Sequence, residues 1–148
     1  MRFAVLGAGA YGTAVGTHIK NLGLDVEMWS RSGQTELTEV IASADVLILG
    51  VPAQQMRTFL SEISTDKPVV SLAKGIEAQN LKRMSEVVEE TLGTNRYAVL
   101  SGPSFAKDIV EGNAAITSKS KSGLASFHTS PVVEQTHICF FTALLHHL

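Results

Sequence analysis

Short, largely aliphatic runs return at near-regular intervals through the first hundred residues: Phe3–Leu6, Val26–Trp29, Val46–Leu49, Val69–Leu72 and Tyr97–Leu100. Runs of this length, bounded by glycine and polar residues, predict buried β-strands. Between them the spacing changes. Tyr11, Val15, Ile19 and Leu22 recur about one turn apart, as do Leu81, Met84, Val88 and Leu92, and each set marks one face of a helix. The stretch between Ser30 and Ala44 leaves room for a short helix from about Thr35 to Ser43. Parallel strands need crossover connections, which are right-handed, so the β-α-β-α alternation predicts a doubly wound α/β domain with a parallel sheet. After about Lys119 serine and threonine become frequent, the periodicity fades, and four of the five histidines fall between His128 and His147. The expected organisation is a domain over residues 1–118 followed by a divergent, poorly ordered tail over 119–148.

Composition narrows the function classes. With 148 residues, 45% hydrophobic and 18% charged, the chain is that of an ordinary globular domain. A domain of this size removes roughly two-thirds of its unfolded surface from water and needs no disulfide or structural metal. The single cysteine, Cys139, fits a reduced compartment. A net charge of −2 without any basic run gives no electrostatic reason to expect nucleic acid or a membrane surface as partner. The apolar stretch Phe3–Leu6 is too short for a signal-peptide core, and Ile138–Leu145 falls well short of the roughly 20 residues that span a bilayer. A cytoplasmic protein is expected.

The first strand runs directly into Gly7-Ala8-Gly9-Ala10-Tyr11-Gly12, which opens the first helical pattern. A G-x-G-x-x-G sequence is weak by itself, but between a strand and a helix each glycine has a task. Gly7 permits the tight turn, Gly9 lets a pyrophosphate approach the backbone, and Gly12 lets helix and sheet pack closely. The helix N-terminus offers its free N–H groups to the anion. These features predict a Rossmann-like dinucleotide site, the alternative being a glycine-rich turn without a ligand. For NAD, a carboxylate is expected at the end of the second strand, where it binds the ribose hydroxyls. That strand instead ends Trp29-Ser30-Arg31-Ser32, and Glu27 lies inside it. Arg31 and its serines suit a 2′-phosphate, which favours NADP or use of both cofactors; the bland alternative is a solvated loop arginine.

Three further loops follow predicted strands, where open α/β sheets bind their ligands. They are Gly50-Val51-Pro52-Ala53-Gln54, Ala73-Lys74-Gly75-Ile76-Glu77 and Ser101-Gly102-Pro103-Ser104-Phe105. Pro52 can start the next helix, and Gln54 offers an amide toward the nicotinamide end. Lys74 can donate to a substrate oxygen or phosphate, or exchange a proton if partly buried, against the alternative of a surface lysine beside a turn glycine. Ser101 and Ser104 suit either a ligand or a hydroxyl-stabilised turn. The glycine loop lacks the G-K-S/T ending of a Walker A sequence, and no acid-base histidine supports a serine hydrolase. No metal site is expected, the tail histidines His137, His146 and His147 having no scaffold around them.

Taken together, the sequence resembles the N-terminal domain of bacterial-type NAD(P)-dependent glycerol-3-phosphate dehydrogenases. The likeness rests on Val5–Ala14, Trp29-Ser30-Arg31, Val51-Pro52, Lys74-Gly75-Ile76-Glu77 and Leu100–Ala106, and covers residues 1 to about 118. It implies hydride transfer between the nicotinamide and dihydroxyacetone phosphate or sn-glycerol 3-phosphate, for glycerophospholipid synthesis. By that likeness Gly7, Gly9, Ala10, Tyr11 and Gly12 hold the pyrophosphate region. Ser30 and Arg31 meet the adenosine end, Pro52, Lys74 and Ser101 line the cofactor cleft, and Lys74, as the catalytic lysine on the substrate side, faces the substrate with Ser101, Gly102 and Ser104. The family continues into a helical domain with a Gly-Gly-Ala-Leu-Lys-Asn-like segment, whose lysine is taken as the main acid-base group. Nothing from Lys119 onward matches it, and no lysine follows Lys121. The expectation is a truncated or frame-altered, catalytically incomplete chain. A binding module holding NAD(P) without turnover stands as the alternative, with a 6-phosphogluconate- or ketopantoate-type dehydrogenase third.

Overall fold

The computed structural model describes residues 1–94, 96–101, 116–120 and 123–127, with side chains for 1–94 and 96–100. In chain order the elements are β1 (Arg2–Leu6), α1 (Ala10–Asn21), β2 (Asp25–Trp29), α2 (Leu37–Ser43), β3 (Val46–Leu49), α3 (Ala53–Ser61), β4 (Val69–Ser71), β5 (Ile76–Glu77), β6 (Lys82–Arg83), α4 (Met84–Leu92), β7 (Tyr97–Ser101), β8 (Ile116–Ser120) and β9 (Gly123–Phe127). The main sheet has the order β2-β1-β3-β4-β7-β8-β9. Its first five strands are parallel, as the aliphatic runs predict, while β8 and β9 are antiparallel additions.

Why these strands read as continuous apolar runs is visible in the packing. Successive side chains point to opposite faces of a strand, and here both faces are covered. Phe3, Val5, Val46, Ile48, Val70, Leu72, Ala98 and Leu100 enter one core, with Ala14, Val15 and Ile19 of α1. Ala4, Leu6, Leu47, Leu49, Val69 and Tyr97 enter the other, with Val40 and Ile41 of α2, Met56, Phe59 and Leu60 of α3, and Met84, Val87 and Val88 of α4. The sheet is therefore doubly wound, with α1 on one face and α2, α3 and α4 on the other.

Helix ends follow local chemistry. The α4 N-terminus is closed by a capping box in which the Glu86 carboxylate accepts from the Arg83 backbone N–H, and Gly93 ends the helix in the left-handed region at φ 65°. The Lys67 ammonium donates to the carbonyls of Ile41, Ala42 and Ala44, which satisfies the C-terminal end of α2.

The structure corrects two expectations. The short crossover helix begins at Leu37 rather than near Thr35, where the Thr35 carbonyl accepts from the Trp29 indole. Leu81 is not on the α4 face. It sits in the turn of the β5–β6 hairpin, 73% exposed and at φ 55°, because the hairpin occupies the residues that would form the extra helical turn. The sheet also continues across residue 118, which lies within β8. β8, Ile-Thr-Ser-Lys-Ser, holds a single aliphatic residue, and in β9, Gly-Leu-Ala-Ser-Phe, glycine and serine interrupt the apolar residues, so neither strand presents the continuous apolar run that marks the parallel strands. Residues 128–148, including the tail histidines and Cys139, lie outside the described residues.

A non-glycine residue in the left-handed region costs on the order of 1 kcal/mol, and Leu81 recovers little of it through burial. Leu81→Asn is expected to raise stability by about 0.5–1 kcal/mol in urea unfolding at unchanged m-value, because asparagine tolerates this conformation.

Candidate nucleotide site at the switch in strand order

The chain leaves β1 toward β2 and then returns past β1 to β3, so the direction of winding reverses between β1 and β3. The loops beyond the carboxyl ends of these two strands flank the crevice where α/β folds bind ligands. Three glycines build it. Gly7 has φ 114°, in the region that favours glycine, and its N–H donates to the Trp29 carbonyl at 2.9 Å. Its own carbonyl oxygen lies so close to Gly12 and Gly50 that a Cβ on either would approach within 2.2 and 2.5 Å. A Cβ on Gly7 would lie 2.8 Å from the Gly50 carbonyl carbon. Helix α1, the β1 loop and the β3 loop are thus in backbone contact.

Gly9 is the exception. It precedes α1 as its N-cap in an ordinary extended conformation, and a Cβ there would meet no atom within 4 Å among the described residues. No side chain caps this helix end and no acidic residue occupies its first turn. The first N–H groups of a helix have no intrahelical partner, so those of α1 open toward this space with the positive end of the helix dipole behind them. Thr13 closes the turn, its N–H donating to Gly9 O and its hydroxyl to Ala8 O. An open, acid-free, glycine-lined helix N-terminus fits a pyrophosphate.

Tyr11, in the first turn of α1, carries a buried hydroxyl with no partner among the described residues, and burial pushes its phenol upward in pKa. The Lys74 ammonium lies over its ring, 5.3 Å from the centroid, in a cation–π contact that joins the loop after β4 to the glycine helix. On the other side of the crevice, Ser30 and Arg31 follow β2, and the Arg31 guanidinium pairs with Glu62 at 3.1 Å. Pro52 is the N-cap of α3, close to its expected place at the start of that helix. Ser101 ends β7, on the far side of β4 from this crevice. Gly102 and Ser104 lie outside the described residues. Glu27 is in the middle of β2, as expected, and accepts a hydrogen bond from the Ser43 hydroxyl.

Sequence reasoning missed how the Lys74 loop is held. Gln54 does not offer its amide to the crevice: its Nε2 donates to Ile76 O at 2.8 Å and its Oε1 accepts from Ala78 N–H at 2.9 Å. Glu77 is buried at 6% exposure, where Arg57 donates to its two carboxylate oxygens at 2.7 and 3.0 Å and Asn80 adds a further bond at 2.9 Å. Arg57 also pairs with Glu90, which Lys82 contacts in turn. Hydrogen bonds from Arg57, then Asn80, hold the Glu77 carboxyl below its ordinary pKa. The Lys-Gly-Ile-Glu stretch is therefore divided by function, with Lys74 at the crevice rim and Glu77 anchored to α3. Gly50 was legible only as a loop glycine; its position at the end of a strand adjoining the reversal was the available signal for close packing.

Two outcomes follow from this geometry. Gly12→Ala must push backbone apart and is expected to cost about 2–4 kcal/mol in chemical denaturation, whereas Gly9→Ala should cost less than about 1 kcal/mol. Because the Glu77 carboxyl is lowered in the folded state, its contribution is present above the unfolded value of about 4.3 and is lost as pH falls through the lower folded value. The stability difference between the parent and Glu77→Gln, followed by urea titrations from pH 7 to pH 3, is expected to be flat to about pH 5 and to shrink below it.

Residues 32–123 match the family described as NAD-dependent glycerol-3-phosphate dehydrogenase N-terminus. Among curated relatives, the glycerol-3-phosphate dehydrogenase [NAD(P)+] of Corynebacterium diphtheriae is 34% identical over a region covering 79% of this chain and 45% of that protein. The Thermoanaerobacter sp. protein of the same name is 35% identical over 74% of this chain and 42% of its own length. The chain therefore spans less than half the length of these relatives. Among solved structures, glycerol-3-phosphate dehydrogenase from Coxiella burnetii shares the fold at TM-score 0.69 and 20% identity, over 82% of this chain and 47% of that one. Pyrroline carboxylate reductase from Plasmodium falciparum, solved with NADP bound, does so at TM-score 0.66 and 14% identity, over 97% and 53%. These two structures share the fold alone, and the family match makes the assignment narrower: this chain belongs to the NAD-dependent glycerol-3-phosphate dehydrogenase family and corresponds to its N-terminal part.

Proposed function

We propose that this chain is the nucleotide-binding part of a glycerol-3-phosphate dehydrogenase, built on residues 1–118 with the sheet extended through Phe127. The observation that carries this reading is the acid-free N-terminus of α1, where no described residue comes within 4 Å of a Cβ on Gly9, at the winding reversal of a chain in this family. The N–H groups of Ala10, Tyr11 and Gly12 would hold the pyrophosphate, and Gly7 shapes the turn that aims them. Ser30 and Arg31 would meet the ribose end, where Arg31 suits the 2′-phosphate of NADP. Pro52 would line the cleft beyond β3, and Ser101, at the end of β7 past β4, would extend it toward the nicotinamide end. NADP or NAD fits the same cradle.

When bound, a reduced nicotinamide would supply the hydride to the carbonyl carbon of dihydroxyacetone phosphate, and a proton delivered to the carbonyl oxygen would complete sn-glycerol 3-phosphate. The contribution of this chain is to bind and orient. Lys74, at the rim beside α1, would donate to a substrate oxygen or phosphate, and its charge stabilises negative charge growing there. Its contact with Tyr11 and the anchoring of Glu77 by Arg57 limit where the ammonium can go. Gly102 and Ser104 would complete the substrate side. Water-soluble phosphate substrates suit a cytoplasmic protein, and no helix among the described residues is long and apolar enough to cross a membrane.

No stretch after Lys119 resembles the segment that supplies the family's main acid-base lysine. These 148 residues are therefore expected to bind without turnover. NADPH or NADH at 100-fold its dissociation constant stabilises the folded state by about 2.7 kcal/mol, visible as a raised thermal midpoint. Added dihydroxyacetone phosphate should leave the absorbance at 340 nm unchanged. Gly9→Ala should abolish the nucleotide-induced shift while leaving the unliganded midpoint near that of the parent. A chain with no shift for either nucleotide is not a nucleotide-binding module, and oxidation in the same tube would mean that residues within these 148 do the work assigned to the family's acid-base lysine.

A further inference from the structure

The turn after β2 contains no carboxylate in sequence, yet the fold delivers one to it. Glu62 is the C-cap residue of α3, and both its carboxylate oxygens lie within hydrogen-bond distance of Arg31 Nη2, at 3.2 and 3.1 Å. The placement is built into the packing. The rings of Trp29, the last residue of β2, and Phe59, in the last turn of α3, are 5.8 Å apart, which seats the end of α3 beside the end of β2. The Trp29 carbonyl in turn accepts from Gly7 N–H, so the pair sits next to the glycine loop. Both side chains reach solvent, Arg31 at 71% and Glu62 at 41% exposure, so the guanidinium is accessible to an incoming anion. A carboxylate at the C-terminal end of a helix faces the negative end of the dipole and gains nothing from its own helix.

We propose that Glu62 sets the nucleotide preference by competing with the 2′-phosphate of NADP for Arg31. This rests on the reading that Arg31 faces the 2′ position of the bound cofactor. A 2′-phosphate must displace or share the guanidinium that Glu62 holds, and it meets the negative charge of Glu62 as it does so. The uncharged 2′-hydroxyl of NAD makes no such demand and leaves the ion pair intact. The pair therefore narrows the advantage that Arg31 gives to NADP, and a chain whose strand-end sequence suits NADP accepts NAD as well.

The test is calorimetric titration of the full chain and of Glu62→Gln with NADPH and with NADH. An exposed ion pair is weak, so the expected change is modest: the ratio of the NADH to the NADPH dissociation constant rises about two- to fivefold in the variant, with NADH affinity unchanged. In an Arg31→Gln background the same Glu62→Gln substitution should leave the ratio nearly constant. Binding of both nucleotides with an unchanged ratio in Glu62→Gln would overturn the proposal, as would an equal shift with Arg31 removed. Failure of the parent to bind either nucleotide would overturn the nucleotide-site reading and this inference with it. Removing a charge from the C-terminal end of α3 leaves its backbone cap on Phe59 and Leu60 in place, and a melt by circular dichroism confirms that the variant is folded.

Discussion

The carbonyl oxygen of Gly7 lies against two α-carbons, those of Gly12 and Gly50, with no room for a side chain on either. Much of the structure near the crevice depends on that contact. It lets α1 approach the end of β1, and it lets the β3 loop approach both. With ordinary Cβ atoms at these positions the helix would have to move away from the sheet, taking with it the N–H groups that face the crevice. On the proposed function, packing and ligand recognition are one constraint here, since the same close approach that completes the core also opens the helix end above Gly9. The glycines differ accordingly: Gly7 and Gly12 are needed by the fold, while Gly9 leaves space that the fold itself does not use.

A second level of organisation lies outside the crevice. The loop after β4 bends through Lys74 and Gly75 and then enters a two-stranded hairpin, and nothing in a short loop of this kind fixes its own direction. Direction comes from α3, through the Gln54 amide on the backbone of residues 76 and 78 and through Arg57 on Glu77. Breaking a largely buried ion pair by removing one partner leaves the other uncompensated, which makes the anchor stiff even if its net contribution to stability is small. Stiffness is what a lysine at a binding rim requires, because a charge on a four-carbon stem is useful only where its loop is placed.

These two levels were unequally legible in the sequence. The parallel sheet was, because strands buried on both faces must be apolar at every position, and Phe3–Leu6 or Val46–Leu49 have few other readings. The glycine loop was, because its spacing between a strand and a helix is itself a packing requirement. Leu81 was misread because its spacing from Met84 fits a helix, while the hairpin that removes it from α4 is fixed by tertiary contacts of Glu77 and Gln54. Strands β8 and β9 are not legible for a related reason: antiparallel pairing needs backbone partners more than a continuous aliphatic run, and polar or glycine residues break any such run in both. The pairing of Arg31 with Glu62 joins residues 31 positions apart through a helix end, and no local pattern encodes it.

Under the proposed role of Arg31, that last pair is where cofactor choice departs from motif logic in this chain. A motif assigns the ribose end by the residue that follows the second strand, and here that residue is basic. The electrostatics of the site depend on what surrounds the arginine as much as on the arginine. A guanidinium already engaged by a carboxylate offers less to a phosphate than an isolated one, and the difference is set by α3, an element no nucleotide motif includes. The Trp29–Phe59 contact is what makes the arrangement reproducible, since it couples the end of β2 to the end of α3 through the core rather than through flexible side chains. On the proposed reading, preference between NAD and NADP is a property of how β2 and α3 pack, with Arg31 and Glu62 as its exposed expression.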